Sequence, residues 1–462
     1  MALQPTRPSE PTQAKRSLIR GAAIITMDAQ GDLPQGDILI TGDRLTEIAP
    51  RIHVDDAEVI DGSGYIIIPG LVNAHMHTWQ TALRGLASNW TLLEYFRKMH
   101  AGLATVFEPQ DLYIATLVGA LNQLNCGTTT LADWCHNNPT PQSNDAAIAG
   151  LLASGIRAAF FHGTPKPDPL PGQTPFWEVP HPRAEIERLL KVHQGRPLLS
   201  VQAAVLGPHY STLEVAMHDF AMAKELGLIA SLHQGGGPAR TPDGWDKLET
   251  AGLLGDHINI VHGHALSDEQ LKRFCDLGMS FSAAPESEMT QGHGYPITGR
   301  LRAFGRAPSL GVDLESAISG EMLVQARVAL GMQRSLDNAA HRDLHGSVPS
   351  TSTVTTREAL SWVTIEGARM LNQADRIGSL ASGKQADLVM IRATDLNMQP
   401  VHDVVNSVVM QTSLANIDSV MVAGQWKKRA GQLLGVDLQP HLRALQQSGE
   451  KIALALGLGL AH

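Results

Sequence analysis

The chain of 462 residues is 43% apolar and 18% charged, the balance of a globular enzyme large enough to bury an extensive core. Its formal net charge of −9 argues against a nucleic-acid partner, whose phosphates it would repel. No run of roughly 18 or more apolar residues marks a membrane span. Three cysteines (Cys126, Cys135 and Cys275) without C-x-x-C spacing exclude a disulfide framework and point to a reducing cytoplasm.

Residues 1–16, MALQPTRPSEPTQAKR, are polar and proline-containing, and read as a disordered leader rather than a signal peptide. From 17 to 69 short β-rich runs (LIRGAAIITM, GDILITG, RLTEIAP, AEVIDGSGYIII) are split by Gly, Asp and Pro, the punctuation of turns. A second β-rich region at 377–435 contains IGSLASGKQADLVMI, SVVMQTS and IDSVMVAGQWK. Neither region fills a core by itself, so together they predict one small β-sandwich domain built from both chain ends.

The intervening 70–376 repeats strand and helix. Eight apolar strand candidates follow in order: LVNAHMH (71–77), GTTTLADW (127–134), IRAAFFHG (156–163), LLSVQAAVLGP (198–208), IASLHQG (229–235), INIVHGHA (258–265), SFSAAPES (280–287) and APSLGVDLE (307–315). Helical stretches such as PQDLYIATLVGALNQLN separate several of them. Continuous apolar strands alternating with helices predict an α/β fold, a parallel (β/α)8 TIM-like barrel. A doubly wound open sheet is the rival, but no strand runs into a G-x-G-x-x-G turn. Residues 436–462 read as a terminal helix.

Twenty histidines are the unusual count. His75 and His77 stand two apart at the end of the first strand candidate, so their side chains share a face and both reach one ion. Roughly one H-x-H is expected by chance in so histidine-rich a chain, and two solvated histidines would explain it alone. The wider pattern carries more weight. His233 ends the fifth strand candidate, His262 lies in the sixth and Asp313 ends the eighth, at the C-terminal barrel face where such enzymes place their chemistry. Polar groups buried in apolar strands need partners. One divalent metal satisfies them together; imidazoles with a carboxylate favour Zn²⁺ and admit Fe²⁺ or Mn²⁺.

The stretch IIIPGLVNAHMHTWQTALRG resembles the opening of the metal-dependent amidohydrolase superfamily, in its branch of triazine hydrolases, cytosine and guanine deaminases and S-adenosylhomocysteine deaminase. CGTTTLADW, LGPHYS, NIVHGHALSDEQL, AAPESE, SLGVDLES, REALSWVTIEGARML and IGSLASGKQADLVMI continue the likeness to about Gln432. The resemblance implies a soluble hydrolase, commonly a homo-oligomer, acting on a small-molecule substrate. It implies His75, His77, His233 and Asp313 as metal ligands, His262 as the group that polarises the substrate's carbonyl or ring C=N, and Asp313 as the acceptor of the water proton. Binuclear relatives bridge two ions with a modified lysine on the fourth strand; LLSVQAAVLGP has none, which implies one metal.

One departure stands out. Deaminases of this branch usually carry a glutamate three residues beyond the fifth-strand histidine, and here that position is Gly236 in HQGGGPAR, with no carboxylate before Asp243. A departing amine needs a proton, and general acid catalysis is worth roughly 10²–10⁴-fold. Asp313 is favoured as the shuttle, with Glu288 as an auxiliary acid or substrate contact and Glu286 beside it as a further candidate; a solvated loop carboxylate is the plainer role for Glu288. Gly235 to Gly237 either admit a wide substrate or form a tight turn.

Other candidate contacts are His209 in GPHYS against the substrate, Trp79 stacking at the pocket mouth and Gln80 hydrogen-bonding there. A capped loop histidine and a packing tryptophan are their structural alternatives. Cys135 and His136, adjacent on a strand, point to opposite faces and make a poor nucleophilic pair. Arg84 is expected to support its loop. Loss of the glutamate favours hydrolysis of an amide, urea, carbamate or lactam-like C–N bond. The alternatives are an aminohydrolase or dechlorinase acting on a purine, pyrimidine or triazine, and a catalytically silent metal-binding scaffold.

Overall fold

A computed structural model describes residues 15–458. All eight strand candidates form strands: β1 (Leu71–Met76), β2 (Thr128–Cys135), β3 (Arg157–His162), β4 (Leu199–Ala204), β5 (Ala230–Gln234), β6 (Ile258–His262), β7 (Ser280–Ala283) and β8 (Ser309–Leu310). They pair in parallel in sequential order. β1, β2, β3, β5 and β6 are buried along their whole length, as expected of strands covered on both faces. β8 is only two residues long, so closure falls to the residues just beyond it. Met76 bridges to Asp313 in parallel, the His77 N–H donates to the Asp313 carbonyl at 2.7 Å, and the Asp313 N–H donates to the His75 carbonyl at 2.9 Å. The barrel therefore closes through the backbone of the residues singled out as candidate ligands.

The chain ends build a second sheet, mixed and nine-stranded. Tyr65–Pro69 lies at its centre, parallel to Arg16–Ile24 and antiparallel to Leu388–Arg392. Hydrogen bonds join all nine strands into one continuous sheet, the small β-domain expected from both chain ends. One apolar cluster joins the two chain ends: Ile19, Ile24, Ile38 and Leu45 from the N-terminal strands pack with Leu388, Met390 and Met421 from the C-terminal ones. Neither end has enough apolar residues for a core without the other, which explains their union. Of the expected leader, residues 1–14 lie outside the described residues, and Arg16 opens a strand.

Two polar clamps fix these parts to the barrel. Arg157, at the start of β3, reaches Asp387 through Nε at 3.0 Å and Nη2 at 3.1 Å, with both side chains buried. The helix Leu438–Ala455 rests on Pro109–Asn125, where Ser448 Oγ and Lys451 Nζ donate to the Asp111 carboxylate at 2.8 and 2.6 Å. No helix among the described residues is long and apolar enough to cross a membrane.

Candidate metal centre and its cavity

β1 ends in two imidazoles on one face, β5 contributes His233, and the turn after β8 contributes Asp313. One ligand atom from each of His75, His77, His233 and Asp313 lies within 4.8 Å of all the others. His233 Nε2 faces His75 Nε2 at 3.2 Å, and Asp313 Oδ1 stands 3.4 Å from His75 Nε2 and 3.3 Å from His77 Nε2. Donors at about 2.0–2.1 Å from a tetrahedral ion stand roughly 3.3–3.4 Å apart, a spacing these three separations match, so the four side chains could hold a metal ion.

The protonation states agree with this. Burial pushes the His75 imidazole down to about 3 and that of His233 well below its ordinary range, which keeps both neutral. Burial would raise the Asp313 carboxyl, but hydrogen bonding to His75 and His77 outweighs it and holds the group well below the usual carboxylate range. A buried carboxylate among neutral rings lacks a counter-charge, and a divalent cation supplies one. The Trp134 carbonyl, 2.6 Å from His77 Nδ1, accepts that N–H and leaves the Nε2 lone pair for the ion.

Gly311 sets the position of β1. A Cβ there would lie 2.4 Å from the His75 carbonyl oxygen and 2.7 Å from its Cβ. Gly311→Ala is therefore expected to push His75 aside, lowering both the melting temperature and the metal bound per chain in elemental analysis.

His262 ends β6 beside the four-donor cluster, its ring centroid 5.4 Å from that of His233. Its Nδ1 bonds Glu288 Oε1 at 2.9 Å. Burial disfavours the charged ring, but the hydrogen bond and charge of Glu288, with the charge of Asp313, leave its pKa above the ordinary histidine value. The helix Pro285–Gln291 serves both working groups, because Ser287 Oγ donates to Asp313 Oδ2 at 2.7 Å. His262 and Asp313 are both held at positive φ, 69° and 70°. For non-glycine residues this left-handed backbone costs about 1–3 kcal/mol each and clusters at functional sites.

Several expected contacts lie elsewhere. Glu288 is fully buried, its Oε1 also accepts the Ala284 N–H at 2.8 Å, and it does not line the cavity. Glu286 is engaged by Gln325 Nε2 at 2.9 Å and does not line the cavity. Trp79 is not at the pocket mouth: the 3-10 turn Thr78–Leu83 starts directly after His77 and turns the indole inward, where Nε1 donates to His136 Nδ1 at 3.1 Å and the ring meets Phe107. The same turn buries Gln80, which donates to Tyr95 Oη at 2.5 Å and accepts from Ser316 Oγ at 2.6 Å. His209 accepts from Gln234 Nε2 at 3.3 Å, and its neighbour Tyr210 takes the cavity wall. Arg84 braces its loop on Glu315 at 2.6 Å. Burial raises the Cys135 thiol well above its ordinary range, leaving it unreactive, while His136 faces the cavity and stacks on His77 at 4.1 Å.

The space above the donors is about 30 Å³, room for a water or two. Leu92, Tyr95, Phe96, Lys166, Tyr210 and His293 line it, so a substrate of ring size must displace part of this wall. Lys166 was not among the expected residues. It lies in GTPKPDPLPGQTP, four residues beyond the end of β3, a stretch that reads as a proline-rich connection. Its signal was its place in a loop at the C-terminal barrel face. Its Nζ stands 5.1 Å above the Tyr210 ring and 5.8 Å from that of Trp134, and burial pushes the amine down to about 8. At Gly236, where a glutamate was looked for, a Cβ would sit 3.3 Å from His264 Nε2; at Gly235 one would fall 2.3 Å from the Tyr210 hydroxyl. The glycine at 235 thus makes room for Tyr210.

The profile of the Amidohydrolase family matches residues 66–427. The 8-oxoguanine deaminase of Pseudomonas aeruginosa is 31% identical over 409 residues, covering 83% of this chain and 86% of that protein. The 5-methylthioadenosine/S-adenosylhomocysteine deaminase of Caldicellulosiruptor saccharolyticus is 25% identical over 94% of this chain and 98% of its own. An adenosine deaminase from Xanthomonas campestris with bound zinc shares the fold, with a TM-score of 0.82 at 21% identity over 96% of this chain and all of that one, 100%. Atrazine chlorohydrolase from Arthrobacter aurescens complexed with zinc does so with a TM-score of 0.80 at 22% identity, over 94% and 99%. With the barrel, the four-donor cluster and a family match across most of its length, this chain belongs to the amidohydrolase family.

Proposed function

We propose that the chain hydrolyses a C–N bond in a small amide, urea, carbamate or lactam-like substrate, using water activated at one zinc ion held by His75, His77, His233 and Asp313. The observation that carries this reading is the convergence of four donors at coordination-shell spacing, with the His262–Glu288 pair beside them. A divalent ion held by these four residues would lower the pKa of water toward about 7 and supply Lewis-acid polarisation. Asp313, held by Ser287, takes the proton from the attacking water and delivers it to the departing nitrogen. His262, its Nδ1 committed to Glu288, turns Nε2 to the cavity and stabilises the charge that develops on the substrate oxygen. A single ion fits a fourth strand, LSVQAA, that lacks lysine, and neutral imidazoles with one carboxylate suit zinc ahead of iron or manganese.

The second reading is release of ammonia or another substituent from a purine, pyrimidine or triazine. The relatives named as deaminases of 8-oxoguanine and of adenosine derivatives favour it. Gly236, which offers no carboxylate for the leaving amine, weighs for the first. The expected domain limits stand as part of the proposal: 17–69 with 377–435 as one unit, 70–376 as the barrel and 436–462 as a terminal segment, whose helix spans Leu438–Ala455 and whose last four residues lie outside the described residues. Three buried, unpaired cysteines fit a cytoplasmic setting, and homo-oligomeric assembly follows the family resemblance.

The test is a screen of the zinc-loaded protein. Alkyl- or arylamine release from ureas and amides is expected; ammonia release from aminopurines or aminopyrimidines alone selects the second reading. Inertness toward both sets with zinc tightly bound overturns both and leaves a silent metal-binding scaffold.

A further inference from the structure

The cavity holds one cation that the catalytic scheme does not use. Among the described residues, Lys166 is the only lysine or arginine lining the space above the four donors, and Asp313 the only carboxylate. That carboxylate is already committed to His75, His77 and Ser287. The Lys166 amine rests on the faces of Tyr210 and Trp134, and no carboxylate among the described residues lies within ion-pair distance of it. Two aromatic seats fix where the ammonium stands, and at partly exposed sites such contacts are weak. They do not supply a counter-charge for this half-buried cation.

The glycines after β5 bear on the same point. Gly235 leaves room for the Tyr210 hydroxyl, and Tyr210 carries Lys166 on its ring. With glycine at 235, 236 and 237, this wall has no carboxylate that could pair with the lysine or repel an anion. Relative to a wall bearing a glutamate, one negative charge is gone while a positive one faces the cavity. A substrate anion completes the electrostatics.

We infer that Lys166 is the specificity-determining residue of this cavity, its ammonium hydrogen-bonding a carboxylate or other oxyanion carried by the substrate beside the scissile C–N bond. This rests on the hydrolytic reading above and names its substrate class: amides or ureas that bear a negative charge. The ammonium offers three donors on a flexible stem, so it can follow an anion while the wall of Leu92, Tyr95 and Phe96 gives way.

The test reads binding separately from turnover. Zinc-loaded protein is titrated calorimetrically with N-carbamoylglycine and with N-carbamoylglycinamide, which exchanges the carboxylate for an uncharged amide. Wild type is expected to bind the anion about 10–100-fold more tightly, the worth of a charge-assisted hydrogen bond. Lys166→Met should erase that difference with zinc content unchanged. The assignment is overturned if wild type shows no preference, including no detectable binding of either compound, or if the preference survives in Lys166→Met, which would place the anion on the metal. It is also overturned if Lys166→Met lowers kcat on both compounds alike and leaves KM unmoved, which would place the lysine at the leaving group. Anion binding through Lys166 without amine release from any urea or amide would sink the hydrolytic reading and keep this one; amine release from neutral ureas with no anion preference does the reverse.

Discussion

Replacing His233 by alanine is expected to strip the protein of zinc and abolish its activity together. Elemental analysis should show metal falling from near one ion per chain to below about a tenth, and turnover should drop by at least about 10³-fold, because water is then no longer activated at neutral pH. His233 Nε2 is one of four donors and faces His75 Nε2 at 3.2 Å. Three donors cannot close the shell, and Asp313 keeps its buried charge without the counter-ion that offsets it. The fold should persist, since His233 lies at the very end of β5 and that strand's pairing with β6 is carried by backbone from Ala230 onward. Normal zinc content or normal turnover in His233→Ala would refute the ligand assignment.

His262 answers a different question. Its Nδ1 is held by Glu288 and it stands outside the four-donor cluster, so its removal should leave the metal in place and slow the reaction. The variant to use is His262→Asn, because the backbone there is left-handed at φ 69° and asparagine tolerates that region better than alanine. We expect kcat/KM to fall about 10²–10³-fold, the usual consequence of losing one group that stabilises oxyanion charge, with zinc content unchanged. Loss of zinc in this variant would make His262 a ligand, and undiminished turnover would remove it from the mechanism.

That both histidines stand at the site was legible in the sequence for a physical reason, whereas their different roles were implied only by the family resemblance. Strands covered on both faces read as apolar runs, so a histidine or aspartate at the end of one is conspicuous; His75, His77, His233, His262 and Asp313 all announced themselves this way. What followed the strands was harder to read. Trp79 and Gln80 lie two and three residues beyond His77 and were placed at the cavity mouth as if the strand continued, but the chain enters a 3-10 turn at Thr78 that rotates both inward. Glu288 was recognised as a carboxylate near the site, yet its role depends on its partners, His262 and the Ala284 N–H, which spacing does not reveal. Lys166 escaped notice because it sits in a proline-rich loop with no periodicity, and only the tertiary fold carries it onto Tyr210. The union of the chain ends into one sheet was predictable from their two β-rich regions, whereas its continuity depended on Tyr65–Pro69 pairing on both sides.

The proposed chemistry needs a single cation gathered by side chains from three strand ends. Protein loaded with zinc and crystallised should give one ion per chain by elemental analysis and one anomalous-scattering peak, placed between His75, His77, His233 and Asp313 at about 2.0–2.2 Å from each donor. Two peaks of equal height in the cavity, or a lone peak bound elsewhere with these four side chains unliganded, would contradict it.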